Sequence, residues 1–274
     1  KSANGFEVEV ESGWGDDPLF SDFKPDLIIN NNDFTEAHQD WAQSITTPQN
    51  PPRELGWYQR KKSRYFKFYN QLVYEFAEVA EIDPLLFEVK TELFPTFDIN
   101  LLESKEKLAL AVDNLIVNLK NQYEERNWTQ KPFVFVKNNS GTYGLAVIKV
   151  ESGKEILDWS YKSRKKMKAA KSGKDVEEVI IQEGIPSIVE TDGVVAEPVI
   201  YMIGSSLAGG FLRTHGAKTS TDSLNSPGAI YKRLCVSDLA IRPEGCPMEN
   251  VYGWTSKLGA LAISMEAKEM GVLI

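Results

Sequence analysis

The stretch "KPFVFVKNNSGTYGLAVIKV", Lys131 to Val150, limits the fold more than any other: two short apolar runs flank a small polar loop with two glycines. Short β-branched and aromatic runs bounded by turn residues read as strands, so the unit is strand, loop, strand, with Lys137 at the edge of the first strand. An ammonium there is costly to bury unless an anion meets it. The loop, Asn138 to Gly144, adds glycines that let backbone N–H groups approach an oxyanion, and hydroxyl donors from Ser140 and Thr142. That combination can cradle a polyphosphate. It is neither a Walker loop, because G-x-x-x-x-G-K-[ST] is absent, nor a dinucleotide fingerprint, because only G-x-x-G remains and no helix follows. A plain hairpin with glycines in its turn fits the loop taken alone equally well.

The rest of the chain supplies the layers around this unit. "KPDLIINNNDF" predicts a short buried strand, Leu27-Ile28-Ile29, ending in Asn31, Asn32 and Asp33. After the irregular connection marked by Pro48, Pro51 and Pro52, Phe66, Tyr69, Val73, Phe76 and Val79 recur at helical spacing. That helix opens on the basic cluster Arg60, Lys61, Lys62 and stops before Pro84. A second helix, about Ser104 to Arg126, carries Leu108, Val112, Leu115, Leu119 and Tyr123 on one face, with Ser104 as its expected N-cap. From Lys131 the pattern changes to strands: Phe133 to Lys137, Leu145 to Val150, Val179 to Glu183, Val194 to Ile203 and Leu207 to Arg213, closed by a helix from about Val251 to Met270. The expectation is an α+β fold with a mostly antiparallel sheet, divided into a substrate-side region, 1–126, and a nucleotide-binding region, 127–274.

With 274 residues, 42% hydrophobic and 26% charged, the chain is long enough for one large domain or two small ones. Its formal net charge of -8 argues against a broad nucleic-acid or anionic-membrane surface, since neutralising phosphates takes an excess of Lys and Arg. The run "YKSRKKMKAAKSGK" packs seven basic residues between Lys162 and Lys174, yet lacks interleaved aromatics and reads as a solvated helix face or a lid segment. Cys235 and Cys246 form no C-x-x-C or Cys/His cluster, and the two histidines, His38 and His215, rule out a histidine-rich metal site. No apolar run approaches a membrane span, and the N-terminus is no signal peptide, so the expected compartment is the cytoplasm. A start at Lys1 rather than Met suggests a piece of a longer protein.

Three further segments carry chemistry. In "EEVIIQEGI" an apolar strand runs into Gln182 and Glu183, a strand end that can read an adenine edge and hold ribose hydroxyls, or merely lead to a turn. In "AEPVIYMIGSSLAGGFLRTHG" two strands meet at a small turn, with Glu197 heading one and Arg213 ending the other. Arg213 offers a donor fork for a phosphoryl group and Glu197 a ligand for Mg²⁺, though a cross-strand ion pair explains both equally well. "DSLNSPGAIY" adds Asn225, an oxygen donor for a cation or a turn residue.

The order strand-end lysine, Ser/Gly loop, hinge strand, then hairpin closing on an arginine resembles the ATP-grasp fold. Together, "FVKNNSGTYGLAVIKV", "EEVIIQEGI", "AEPVIYMI", "GGFLRTH" and "LNSPG" are similar to the proteobacterial-type glutamate–cysteine ligase family, and "DLIINNNDF" with "GWYQRKKSRYFKFYNQL" extends the likeness to about Asp26–Met270. The resemblance implies ATP-dependent joining of L-glutamate to L-cysteine through an acyl phosphate, the first step of glutathione synthesis, with ATP and Mg²⁺. It implies that Lys137 binds phosphates, that Ser140, Gly141, Thr142, Tyr143 and Gly144 cover them, and that Gln182 and Glu183 hold the adenosine. Arg213 joins Lys137 in catalysis, and Glu197 and Asn225 stand in as metal ligands. Asn31, Asn32, Asp33, Arg60, Lys61 and Lys62 are the candidates for amino-acid recognition. Two departures from the pattern stand out: the late Glu-x-Asn metal segment is missing, and so is a further N-terminal stretch. Another ATP-grasp carboxylate–amine ligase and a non-catalytic nucleotide-binding relative are the alternative readings.

Overall fold

The computed structural model describes residues 25–30, 34, 45–140, 144–167, 176–234, 240–241 and 248–272. Asn31, Asn32, Asp33, His38, Gly141, Thr142, Tyr143, Cys235, Cys246 and the distal part of the basic run therefore lie outside the described residues.

Two four-stranded sheets organise these residues. In chain order the first comprises β3 (Thr91–Phe94), β4 (Val134–Asn138), β5 (Val147–Val150) and β6 (Val179–Glu183), arranged β3-β6-β4-β5 and antiparallel throughout. The second comprises β7 (Val189–Thr191), β8 (Val194–Ile203), β9 (Ser206–Thr214) and β10 (Ile230–Leu234), in the order β10-β9-β8-β7 and again antiparallel. Two short pairs stand apart: β1 (Ile28–Ile29) runs parallel to β2 (Gln49–Asn50), and β11 (Ala240–Ile241) pairs with β12 (Met248–Glu249). The helices are α1 (Lys62–Ala80), α2 (Leu102–Glu125), the short α3 (Gly153–Leu157) and α4 (Tyr161–Met167), and α5 (Val251–Glu269).

Alternation divides β4 between two environments. Val134 and Val136 turn to the α2 side and, with Val150, Val179 and Ile181, meet Leu108, Val112, Leu115, Leu119 and Tyr123 in the main core. Burying each large aliphatic side chain contributes about 1.5–3 kcal/mol, which holds α2 against the sheet without a side-chain cap. Phe133, Phe135 and Lys137 point the other way. A second core joins α1 to α5 through Phe68, Tyr69, Leu72, Val73, Leu258 and Ala262. Elements on both sides of residue 126 thus share each core: α2 and β3 with the first sheet, α1 with α5.

The structure corrects three sequence expectations. Leu27 and Ile29 are exposed, so the first strand is a two-residue parallel pairing and not a buried one. Ser104 does not cap α2: Leu101 occupies that position, and the Ser104 hydroxyl instead accepts the Asp98 N–H in the preceding turn. Val79 is 86% exposed, because the last turn of α1 overruns the face buried by α5 before Glu81 ends the helix in a left-handed conformation.

Candidate active site

Lys137 lies at the penultimate position of β4, on the sheet face away from α2. Its ammonium sits over the Phe135 ring, 5.1 Å from the centroid, and donates to Gln182 Oε1 at 2.5 Å. Gln182 in turn donates to Thr91 Oγ1 at 2.9 Å, so three strands hold one amine in place. Burial pushes the Lys137 ammonium down to about 8, and the nearby Glu197 carboxylate works against that shift. That influence brings one residue of the second sheet within electrostatic reach of Lys137. Glu197 on β8 lies opposite Arg213 on β9, and their side chains meet at 2.8 Å. Arg213 Nε is buried without a hydrogen-bond partner, as is the hydroxyl of Ser226.

The loop that begins after Lys137 is anchored before its glycines. Asn138 Oδ1 accepts the Ser140 N–H, an Asx turn that starts the bend. Asn139 reaches across to α1: its carbonyl accepts the Lys62 N–H and its Oδ1 the Ser63 N–H, both within 3.0 Å. Because Lys61, at the cap position, makes no side-chain cap, Asn139 caps α1 from a distant part of the chain. At the other end of the loop Gly144 has φ +68° and an added Cβ would stand 2.2 Å from the Asn225 carbonyl oxygen, so only glycine fits this approach. His215 Nε2 donates to the Pro227 carbonyl while its Nδ1 accepts the Ala217 N–H, a structural role that holds the turn after Asn225.

The basic cluster at the head of α1 splits three ways. Arg60 is bound by the fully buried Glu266 of α5 at 2.8 Å and lies over the rings of Trp57 and Tyr65. Lys61 pairs with Glu178 at 2.8 Å. Lys62 donates to the Asn138 carbonyl at 2.9 Å, which brings it beside Lys137. Burial lowers its pKa to about 8, with Lys137, Arg60 and Lys61 pushing the same way. No acidic residue occupies the first turn of α1, so the positive end of that helix adds to this field.

Gln182 and Glu183 point to opposite faces of β6. The Glu183 carboxylate turns into the protein, where it accepts from the Tyr123 hydroxyl and the Lys90 N–H; burial raises its pKa, against those hydrogen bonds. Its own N–H donates to Lys90 and that of Gly184 to Phe133, so the backbone donors at this strand end are already used. Two residues on the Lys137 face escaped the sequence reading. Lys149, opposite Phe135, reaches Thr221 Oγ1 at 2.9 Å and caps the Phe133 ring; alternation along "AVIKV" was the signal for it. Thr91 lies on a strand too short to be read from four residues.

A triphosphate suits this region chemically: Lys62 and Lys137 bring two amines together, and the buried Nε–H of Arg213 makes no hydrogen bond. Among the described residues no group of three or more His, Cys, Asp or Glu could hold a metal. Mg²⁺ bound through phosphate oxygens needs only one or two protein carboxylates, and Glu197 meets that minimum.

Comparison with known proteins decides the family. The glutamate-cysteine ligase (GshA) model matches residues 2–267. The chain belongs to the glutamate–cysteine ligase family. A crystal structure from Methylobacillus flagellatus KT, of a protein provisionally named gamma-glutamylcysteine synthetase, is 31% identical and superposes with a TM-score of 0.78. The match covers 90% of this chain but 60% of that protein, so the chain spans less than two thirds of its solved relative. No curated protein matches. Within the family, the sequence resemblance first carried by the lysine–glycine-loop segment extends over nearly the whole chain. No described helix is long and apolar enough to cross a membrane.

Proposed function

We propose that this glutamate–cysteine ligase family member contributes the nucleotide clamp of an enzyme that joins the side-chain carboxylate of L-glutamate to the amine of L-cysteine at the expense of ATP. The observation that supports the reading is Lys137, fixed by Gln182 at the strand end and within electrostatic reach of Glu197, which is itself paired with Arg213. Such an arrangement is what an ATP-grasp clamp requires. A carboxylate acylates poorly, so transfer of the γ-phosphoryl group to it creates a mixed anhydride that an amine can attack, releasing phosphate.

In this reading Lys137 and Arg213 stabilise charge as it spreads over the transferring phosphoryl oxygens. The Ser140–Gly144 loop, hinged between Asn138 and the Asn225 contact, closes over the phosphates and keeps water from the acyl phosphate. Gln182 orients Lys137, while the Glu183 carboxylate is engaged inside the protein, so neither side chain is open to take the adenosine role expected from the resemblance. Glu197 and Asn225 would hold Mg²⁺, which when bound supplies positive charge between phosphates. The region before residue 127 would supply the amino-acid side, through Asn31, Asn32, Asp33, Arg60, Lys61 and Lys62. ADP release from the full-length protein tests the proposal. Release is expected only when glutamate and cysteine are present together at full rate. Equal stimulation by an unrelated amino-acid pair would point to another carboxylate–amine ligase, and ATP binding without turnover to a non-catalytic relative.

A further inference from the structure

The cations that open α1 are not used alike. A guanidinium carries five N–H donors on two forked edges, and Glu266 of α5 takes one edge of Arg60: Nε and Nη2 both meet its Oε2 at 2.8 Å. A pair that served packing alone would close as a parallel fork, one N–H to each oxygen. Here both donors converge on a single oxygen, and Oε1 is buried with no hydrogen bond. An unpaired buried oxygen is unfavourable, and groups left in that state mark places kept for a task other than stability. Glu266 is fully buried, whereas the Arg60 side chain keeps 18% of its surface. The outer edge of the guanidinium, Nη1 with the second N–H of Nη2, bonds no described residue. The rings of Trp57 and Tyr65, each centred 5.7 Å from the guanidinium carbon, restrict how it can turn, and Trp57 is itself exposed.

We propose that the outer edge of Arg60 binds the α-carboxylate of an amino-acid substrate, with Glu266 as the positioning residue that presents the guanidinium from a neighbouring helix. This rests on the ligase reading above and deepens it, since it gives one of the basic candidates a definite substrate group and adds Glu266, Trp57 and Tyr65 around it. A carboxylate and a guanidinium meet in one plane through two N–H···O bonds, a match that an ammonium cannot reproduce. Such a fork holds charge on the carboxylate it binds, which suits the group that must stay unreacted and leaves the side-chain carboxylate for phosphoryl transfer. Glu266 cancels the charge of Arg60, but not that of the lysines around it. Lys62 and Lys137, with the positive end of α1, keep the local field attractive to an anion. The same interactions place Arg60 near the transfer site, because Arg60 and Lys137 both act on Lys62.

Calorimetric titration of the full-length protein, with Mg²⁺ and a nonhydrolysable ATP analogue present, against L-glutamate, L-cysteine and the α-amide of each tests this. In the parent, the α-amide of one of the two amino acids should bind about ten- to a hundred-fold more weakly than the acid, the range of a lost charge-assisted hydrogen bond. Which amino acid responds identifies the occupant. Arg60→Lys, which keeps a cation opposite Glu266 and guards against a folding defect, should weaken the same acid by a similar factor and leave its α-amide within about three-fold of the parent. Glu266→Gln should raise KM for that amino acid about ten-fold while kcat and the KM for ATP stay within about three-fold, a split that a general loss of packing does not give. If Arg60→Lys weakens an acid and its α-amide equally, or weakens neither acid, the proposal falls while the ligase reading stands. Unaltered KM values for both amino acids in Glu266→Gln would overturn its positioning role. If the parent binds neither amino acid, the ligase reading fails, and the proposal with it.

Discussion

At the scale of single residues, the site is built against stability. Lys62 and Lys137 have folded pKa values near 8, below the 10.5 of an ordinary lysine, so their protonation is less favourable in the fold than in the unfolded chain. Their contribution to stability is complete above about pH 10.5 and is lost as pH falls through 8. Lys137→Met is therefore expected to stabilise the ligand-free protein at pH 7, by about 1–3 kcal/mol, while it abolishes tight ATP binding. Urea unfolding at pH 7 and 10 checks this: the gain should shrink at the higher pH. Glu266 behaves oppositely. Glu266→Ala leaves the partly buried Arg60 without its counter-charge and should destabilise by about 2–4 kcal/mol, again read from urea midpoints. Lys137 was legible from sequence because an amine ending an apolar strand breaks the pattern. Glu266 was not, since its partner is 206 residues away and an acid in an ordinary helical run looks solvated.

Among the elements, legibility followed length and period. The α2 stripe and the strands β6 and β8 could be read because apolar spacing fixes them: the expected bounds of these two strands are those observed, whereas the ends of β4, β5 and β9 differ by one or two residues. β3 could not, as its four residues expose Glu92 and Leu93 and gain their place only by pairing with β6. β7 carried a usable signal in Thr191-Asp192-Gly193-Val194, whose two turn residues both have positive φ, the mark of a tight hairpin. The cap of α1 was out of reach for a different reason: local sequence offers Lys61, while the capping oxygen comes from Asn139. Asn139→Ala should cost about 1–2 kcal/mol and speed amide exchange over Lys62–Tyr65 more than elsewhere in α1. The glycine loop's far hinge makes the matching claim. Gly144→Ala, which meets both positive φ and the Asn225 carbonyl, should lower stability by about 1–3 kcal/mol, seen as a reduced Tm.

Across the whole molecule, two four-stranded sheets organise the described residues, and the start of α1 reaches the end of β4 while the helix packs on α5. The division expected at residue 126 follows the change from helical to strand grammar, but the cores do not respect it, because tertiary pairing joins β3 to β6 and α1 to α5. The acidic net charge of -8 hides a local concentration of cations, which composition averages away and folding restores. Transfer of a phosphoryl group to a carboxylate needs such a concentration of positive charge. Hydroxylamine trapping measures the activation itself: full-length protein is incubated with ATP, Mg²⁺, L-glutamate and hydroxylamine, without cysteine. Formation of γ-glutamyl hydroxamate that depends on ATP and disappears in Lys137→Met is the predicted result. Hydroxamate formed at an undiminished rate by Lys137→Met would contradict the claim that this site performs the phosphoryl transfer.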